Sequence, residues 1–268
     1  MIVAVDTGGT KTLVAVFDTE GRIVSEEKFP TPKDVTEYLS QLKQTIDSLT
    51  EQIDITCLSV ALPGLIENGV FVTAGNLNWH NTDMKALLSN HYDCPIIIEN
   101  DANLAGLAEA RALSNMPAVC LYVTVSTGIG TGVVLDGKLH PLLSRTEGGE
   151  IVLWHENSWM TWESFGSGKA LKERTGKLAS EITDESAWHE ISDNIAKGLM
   201  AIAPFLRPDV IIIGGGVGTH FSKFGPYLTE TLQAHLNYGY KPTIVQAVHP
   251  EEAVVYGCYY HALDTLTD

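Results

Sequence analysis

The sequence predicts an α/β protein of two domains, and three observations carry that expectation. β-Branched apolar runs alternate along the 268 residues with stretches of helical period. A strand–glycine turn–strand unit opens the chain over 3–18, and its plan returns over 123–136, with Asp6 aligned on Ser126, Thr7 on Thr127 and Gly8 on Gly128. A repeat so long is not a solenoid; it fits two domains of related topology, and the length suits two cores of about 100–200 residues. The boundary is expected at 114–117. That gives a domain 1–115, a domain 116–250, and a last helix over about 251–266 that packs back on the first.

Each element has its own signal. In the opening unit, Gly8 and Gly9 permit a sharp turn between two β-branched runs. A third strand over 21–29 is broken by Thr31-Pro32. Apolar residues at 35, 38, 39, 42, 46 and 49 predict an amphipathic helix. A buried strand over 54–62 is closed by Pro63-Gly64, and Glu67-Asn68-Gly69 marks a hairpin. After a polar loop over 75–81, Thr82 or Asp83 caps a helix to about 90. Residues 95–99 form a strand ended by Asn100-Asp101-Ala102-Asn103, and an alanine-rich helix runs over 104–113. Beyond the second glycine turn, 140–168 reads as irregular. Helices follow over 168–175 and 186–206, a strand over 210–213 running into Gly214-Gly215-Gly216, a helix over 224–236, a strand over 243–248 and the last helix.

Composition narrows the function. Seventeen Lys and Arg stand against 33 Asp and Glu, a net charge of −16, the reverse of a nucleic-acid footprint. A bound polyphosphate must therefore be neutralised locally. No apolar run reaches the ~18 residues of a membrane span, and Asp6 interrupts the first one, so neither membrane insertion nor a signal peptide is expected. Cys57, Cys94, Cys120 and Cys258 share no ligand spacing and read as reduced thiols of a cytoplasmic protein.

Four polar turns follow β-runs, at 6–12, 100–103, 126–132 and 214–216. Ligands of open α/β sheets sit beyond the carboxyl ends of strands. Hydroxyls, free N–H groups and Lys11 at the first turn suit a phosphate, although the stretch alone also reads as an ordinary hairpin. No G-x-x-x-x-G-K-[ST] is present, which excludes a P-loop. Asp101 has two readings, a helix N-cap or the base that takes a proton from an attacking hydroxyl. Asn76, Asn78, Asn100, Glu147, Glu150 and Glu163 supply directional donors and acceptors of the kind that grip sugar hydroxyls.

Taken together, Asp6-Thr7-Gly8-Gly9-Thr10-Lys11, Glu99-Asn100-Asp101-Ala102-Asn103, Ser126-Thr127-Gly128-Ile129-Gly130-Thr131-Gly132 and Ile213-Gly214-Gly215-Gly216 resemble, in order and spacing, the ROK family of sugar kinases within the actin/hexokinase/Hsp70-like superfamily. The resemblance implies two domains of duplicated actin/ribonuclease-H-like topology around a central cleft. It also implies ATP and Mg2+ as cofactors, a hexose as substrate, and Asp101 as catalytic base toward a sugar hydroxyl, the 6-OH of glucose first. Gly64, Asn76, Asn100, Glu147, Glu150 and Glu163 map onto sugar-binding positions. ATP falls to Asp6, Gly8, Gly9, Thr10, Lys11, Thr127, Gly128, Gly130, Gly215 and Gly216, with Asp6 holding magnesium through water. A homodimer is a further expectation. N-acetylmannosamine, N-acetylglucosamine and fructose are alternative substrates. A sugar-sensing regulator is a rival class, disfavoured by the acidic balance, by a start directly at the first strand and by Asp101. A nicotinamide oxidoreductase is disfavoured because no G-x-G-x-x-G follows Val5 or Ile213.

Two departures from the family pattern stand out. Glu150 replaces the His of Glu-x-Gly-His, and the family's zinc-binding cysteine module gives way to 154–162. No zinc is expected, and Trp154, Trp159, Trp162 and Phe165 are expected to brace the 147–168 loop instead.

Overall fold

The computed structural model describes residues 1–51, 53–75, 77–237, 239–249 and 252–267. The chain divides into two compact units, Met1–Ala108 with Glu252–Asp268, and Glu109–Glu251.

In chain order the first unit holds β1 (Ile2–Thr7), β2 (Lys11–Phe17), β3 (Ile23–Pro30), α1 (Val35–Leu49) and β4 (Cys57–Leu62). A small sheet of β5 (Leu65–Glu67), β6 (Val70–Thr73) and β7 (Thr82–Asp83) follows, then α2 (Met84–Ser89), β8 (Ile96–Asn100) and α3 (Asp101–Ala112), within which the division falls. The main sheet runs β3-β2-β1-β4-β8, with β1, β4 and β8 parallel. Asp6 lies opposite Ala61, Ala61 opposite Glu99 and Leu62 opposite Asn100. The turns after β1, β4 and β8 therefore open at one end of one sheet, the end where ligands of such sheets bind. β1 and β4 are near-continuous apolar runs buried along their length, as strands covered on both faces must be. Asp34 caps α1 by accepting from the N–H groups of Thr36 and Glu37, and the helix buries Tyr38, Leu39, Leu42 and Ile46. The C-terminal helix Ala253–Thr267 lies on β1 and β4.

The second unit holds β9 (Val119–Val125), β10 (Ile129–Leu135), β11 (Lys138–Leu139), β12 (Val152–His155), β13 (Ser158–Thr161), α4 (Trp162–Gly166), α5 (Gly168–Thr175), α6 (Glu185–Leu206), β14 (Val210–Gly214), α7 (Gly215–Gly218), α8 (Phe221–His235) and β15 (Thr243–Gln246). Its sheet runs β11-β10-β9-β14-β15, with β9, β14 and β15 parallel and β10 antiparallel to β9. Strand for strand this repeats the first sheet, and the fold is the duplicated α/β architecture of the actin-like ATPases. Leu121, Val123, Ile195, Leu199, Ile211 and Phe224 belong to its core. Among the described residues no helix is long and apolar enough to cross a membrane.

Two local expectations need correction. The helix expected over 104–113 starts at Asp101, because Asn100 provides the cap. The stretch 140–168, expected to be irregular, carries a hairpin of β12 and β13 and then α4. The hairpin turns on Glu156 and Asn157, both with positive φ (44° and 65°), the conformation of the two-residue turns that suit strand twist; without a glycine the turn is hard to read. The strand period of two puts Leu153, His155 and Met160 on the core side, while Val152, Trp154 and Trp159 stay 55%, 59% and 70% exposed. The expected aromatic brace is thus half right. Trp162 and Phe165 are buried, whereas Trp154 and Trp159 pack edge to face on each other at the surface.

Candidate active site

The first unit brings two groups of expected residues to the open end of its sheet. At the β1–β2 turn, the Gly8 N–H donates to the Lys11 carbonyl at 2.9 Å. Thr31 Oγ1 donates to the Gly8 carbonyl at 2.8 Å, and Lys33 Nζ to the Gly9 carbonyl at 2.7 Å. Thr12 and Thr31 share a buried hydroxyl contact of 2.9 Å, as do Thr7 and Tyr38 at 2.7 Å. The turn is thereby fixed from the side of α1, with Thr10 and Lys11 exposed. Burial pushes the Asp6 carboxyl up to about 6, with Lys28 pulling against it. A buried carboxylate so poorly compensated suits a hard divalent cation, which takes oxygen ligands.

Asn100 organises the second group. Its Oδ1 accepts the N–H groups of Ala102 and Asn103 at 2.8 and 3.1 Å, and its Nδ2 donates to the Gly64 carbonyl at 2.9 Å. Asn100 is therefore the N-cap of α3, which leaves Asp101 as the first helical residue, its Oδ1 2.8 Å from the Ala102 N–H. Gly64 has φ +77°, and a Cβ there would collide with Thr73 and Ala74. Beneath them, Glu99 accepts from the Asn100 N–H at 2.7 Å and Asn103 Nδ2 at 3.0 Å, and its own burial raises its pKa. Trp79, 2% exposed, donates to the Lys33 carbonyl at 3.1 Å and anchors the loop after β6. Asn76 lies outside the described residues.

In the second unit the Glu163 carboxylate accepts the Ile129 N–H at 2.8 Å. It lies so close to Gly128 that a Cβ on that glycine would strike it. This residue, expected on a sugar, is thus seated on the second glycine turn. Glu147 is half-buried and Glu150 exposed; burial first, then the charges of Glu150 and Glu163, raise the Glu147 pKa. The Gly148 N–H donates to Thr131 Oγ1 at 2.9 Å and ties the Glu147 loop to β10. Gly130 lies within β10 opposite Thr124.

Beside the second turn opens a cavity of about 610 Å³, lined by Ser126, Thr127, Lys169, Lys172, Leu178, Ala179, Ser180, Gly216, Val217, Thr219 and His220 among others. Of the residues expected to hold ATP, Thr127 and Gly216 line it. No atom lies within 4 Å of where a Gly216 Cβ would project, so that backbone is open to close approach, whereas Gly215 (φ +78°) packs on Thr124 and Val125. The volume is that of a small-molecule site, apolar on Leu178, Ala179 and Val217 with a few polar groups. Sequence reading passed over Lys33, Lys169, Lys172 and Thr219. Only Lys169, directly after Ser167-Gly168, offered a signal. Among the described residues no three His, Cys, Asp or Glu side chains converge as a metal site.

The ROK family profile matches residues 2–264. The chain belongs to the ROK family. Among relatives within reach of this sequence, a fructokinase of Zymomonas mobilis is 29% identical over 80% of this chain and 78% of its own. A glucokinase of Streptomyces coelicolor is 24% identical over 81% and 82%. The crystal structure of a ROK glucokinase from Streptomyces griseus, in complex with glucose and AMPPNP, superposes with a TM-score of 0.81 at 22% identity, covering 98% of this chain and 99% of that one. That structure shares the fold over nearly the whole length of both chains.

Proposed function

We propose that the chain is an ATP-dependent hexose kinase that phosphorylates a sugar hydroxyl, the 6-OH first among them. The observation that carries this reading is the row of strand ends in the first unit: the Asp6–Lys11 turn after β1, Gly64 after β4 and Asp101 after β8 open at one end of one sheet. The kinase names of the ROK relatives support it.

In this reading Asp101 accepts the proton of the hydroxyl as its oxygen attacks the γ-phosphorus. The bond to the β–γ bridging oxygen breaks and ADP leaves. Asn100 fixes Asp101 through the cap of α3 and, with Gly64 and Glu147, is assigned to the sugar by family position. Asn76, Glu150 and Glu163 are assigned there by family position, Glu163 also holding the second turn. Gly8, Gly9, Thr10 and Lys11 of the first unit and Thr127, Gly128 and Gly130 of the second are assigned to the phosphates, and Gly215 and Gly216 to the nucleoside. The open face of Gly216 and the apolar walls of the cavity fit a nucleoside. Asp6 is assigned to Mg2+, through water, and the cation supplies charge neutralisation to the phosphoryl oxygens.

The test is ADP release with a panel of hexoses. Asp101→Asn is expected to keep the fold and sugar binding and to lower kcat by about 10²-fold or more. Near-normal turnover in a folded Asp101→Asn protein sinks the assignment.

A further inference from the structure

The cavity of the second unit contains a charge pattern that the proposed reaction has not yet used. Two lysines line it, Lys169 and Lys172, and no Asp or Glu does, in a chain whose net charge is −16. Both lie on α5, three residues apart and so on one helical face. Their position is fixed from the glycine turn. The Gly168 N–H donates to the Ser126 carbonyl at 2.7 Å, and a Cβ on Gly168 would meet that same carbonyl at 2.5 Å. Ser167 caps α5 by accepting the Ala170 N–H at 3.2 Å. The start of α5 is thus clamped on the second turn, and the two ammonium groups stand on the wall beside it.

Neither cation is used up elsewhere. Lys169 has only a 4.0 Å contact with Glu173, both side chains about two-thirds exposed, and such a pair contributes little. Lys172 makes no ion pair among the described residues. Lysine acts on phosphate as a flexible point charge, which suits a chain of phosphates on the wall of an open cavity. The apolar wall of Leu178, Ala179 and Val217 offers a purine contact area but nothing for charge.

We propose that Lys169 and Lys172 are binding residues for the phosphate chain of the nucleotide, so that this cavity selects its ligand by polyanionic charge as well as by its base. The proposal rests on the kinase reading above and adds to it two residues for the donor.

The experiment measures binding of MgADP and of adenosine to the whole protein by calorimetry, without sugar, in wild type, in Lys169→Ala/Lys172→Ala and in Lys169→Arg/Lys172→Arg. The alanine pair is expected to weaken MgADP at least tenfold and to leave adenosine within twofold. The arginine pair is expected to stay near wild type, and the loss should shrink as salt is raised. Inorganic tripolyphosphate should compete with MgADP on wild type and much less on the alanine pair. Equal MgADP affinity in wild type and the alanine pair overturns the assignment while leaving the kinase reading intact. A parallel loss of adenosine affinity also overturns it, since the lysines would then shape the cavity only. A wild-type protein that binds neither ligand overturns the kinase reading and this assignment together.

Discussion

Asp6 is held in a place where its charge is unfavourable. Its carboxyl is pushed from 3.8 up to about 6 by burial, so the native state binds the proton more tightly than the unfolded chain. The contribution of this residue to stability is then fullest below pH ~3.8 and is lost as the pH rises through about 6. At neutral pH the deficit is about 3 kcal/mol. Asp6→Asn removes the charge and keeps the shape. It is expected to stabilise the protein by about 1–3 kcal/mol at pH 7.5, read as the urea midpoint, while abolishing most turnover. A variant less stable than wild type at pH 7.5 contradicts this account. The positions of Asp6 and Asp101 were legible in the sequence because Asp6 stands alone at the end of an apolar strand and Asp101 directly follows one. The cap role of Asn100 was not, since the three consecutive polar residues Glu99, Asn100 and Asp101 leave open which one ends the strand and which begins the helix. Lys33 and Lys172 had no local signal of their own, because a lysine's partner is set by tertiary packing and not by its neighbours in sequence.

The hairpin β12–β13 and α4 connect Glu147 to Glu163, and their anchoring is a matter of buried side chains. Trp162 donates from Nε1 to the Asn194 carbonyl at 3.0 Å and packs so tightly on α6 that a Cβ on Gly198 would overlap its ring. His155, 8% exposed, stacks on Phe165 with ring centroids 4.0 Å apart. Its Nδ1 lies 3.2 Å from Lys197 Nζ, which also reaches Asn194 Oδ1 at 3.3 Å. Trp162→Ala is therefore expected to cost about 3–5 kcal/mol, with a raised sugar KM, while Trp159→Ala on the exposed face stays within about 0.5 kcal/mol. Equal effects of the two would place the brace elsewhere. Burial and then Lys197 lower the His155 pKa, with Arg174 adding and Glu156 and Glu190 opposing. The imidazole is neutral in the folded protein at pH 7 and accepts from Lys197. Its stabilisation is present above ~6.5, the unfolded value, and is lost as pH falls below it, the opposite sense to Asp6. His155→Gln should flatten the fall of the thermal midpoint between pH 7 and 5.5; an unchanged slope would exclude this titration. Because these contacts are organic, a strong zinc chelator is expected to leave the thermal midpoint and sugar KM unchanged, and elemental analysis showing one zinc per chain would overturn that.

At the scale of the whole molecule, the duplication was legible because each half opens with the same strand–glycine turn–strand plan, and a turn that needs glycine repeats the same residue type wherever the topology repeats. The cavity was not legible, since its walls come from the turn after β9, α5, the 178–180 segment and the 216–220 stretch through α7, which only the fold assembles. The C-terminal helix shows how far apart in sequence the members of one unit lie. Gly257 sits against the backbone of Leu104, where a Cβ would overlap the Leu104 carbonyl. The neighbouring Cys258 is fully buried, its Sγ 3.7 Å from the Val5 carbonyl and its thiol pushed up to about 12, mainly by burial. Adding a single methyl at 257 must push the helix off α3 and β1, an overpacking of about 1–3 kcal/mol. Gly257→Ala is thus expected to lower the thermal midpoint by several degrees and to speed the reaction of Cys258 with a thiol reagent at pH 8 by at least tenfold, since the opened helix exposes the sulfur and lets its thiolate form. Gly216→Ala, whose Cβ meets open space, is the matched control: stability should be kept and nucleotide affinity lost. If Gly257→Ala keeps both the midpoint and the slow thiol reaction of wild type, the last helix does not close the first sheet in the way its packing requires.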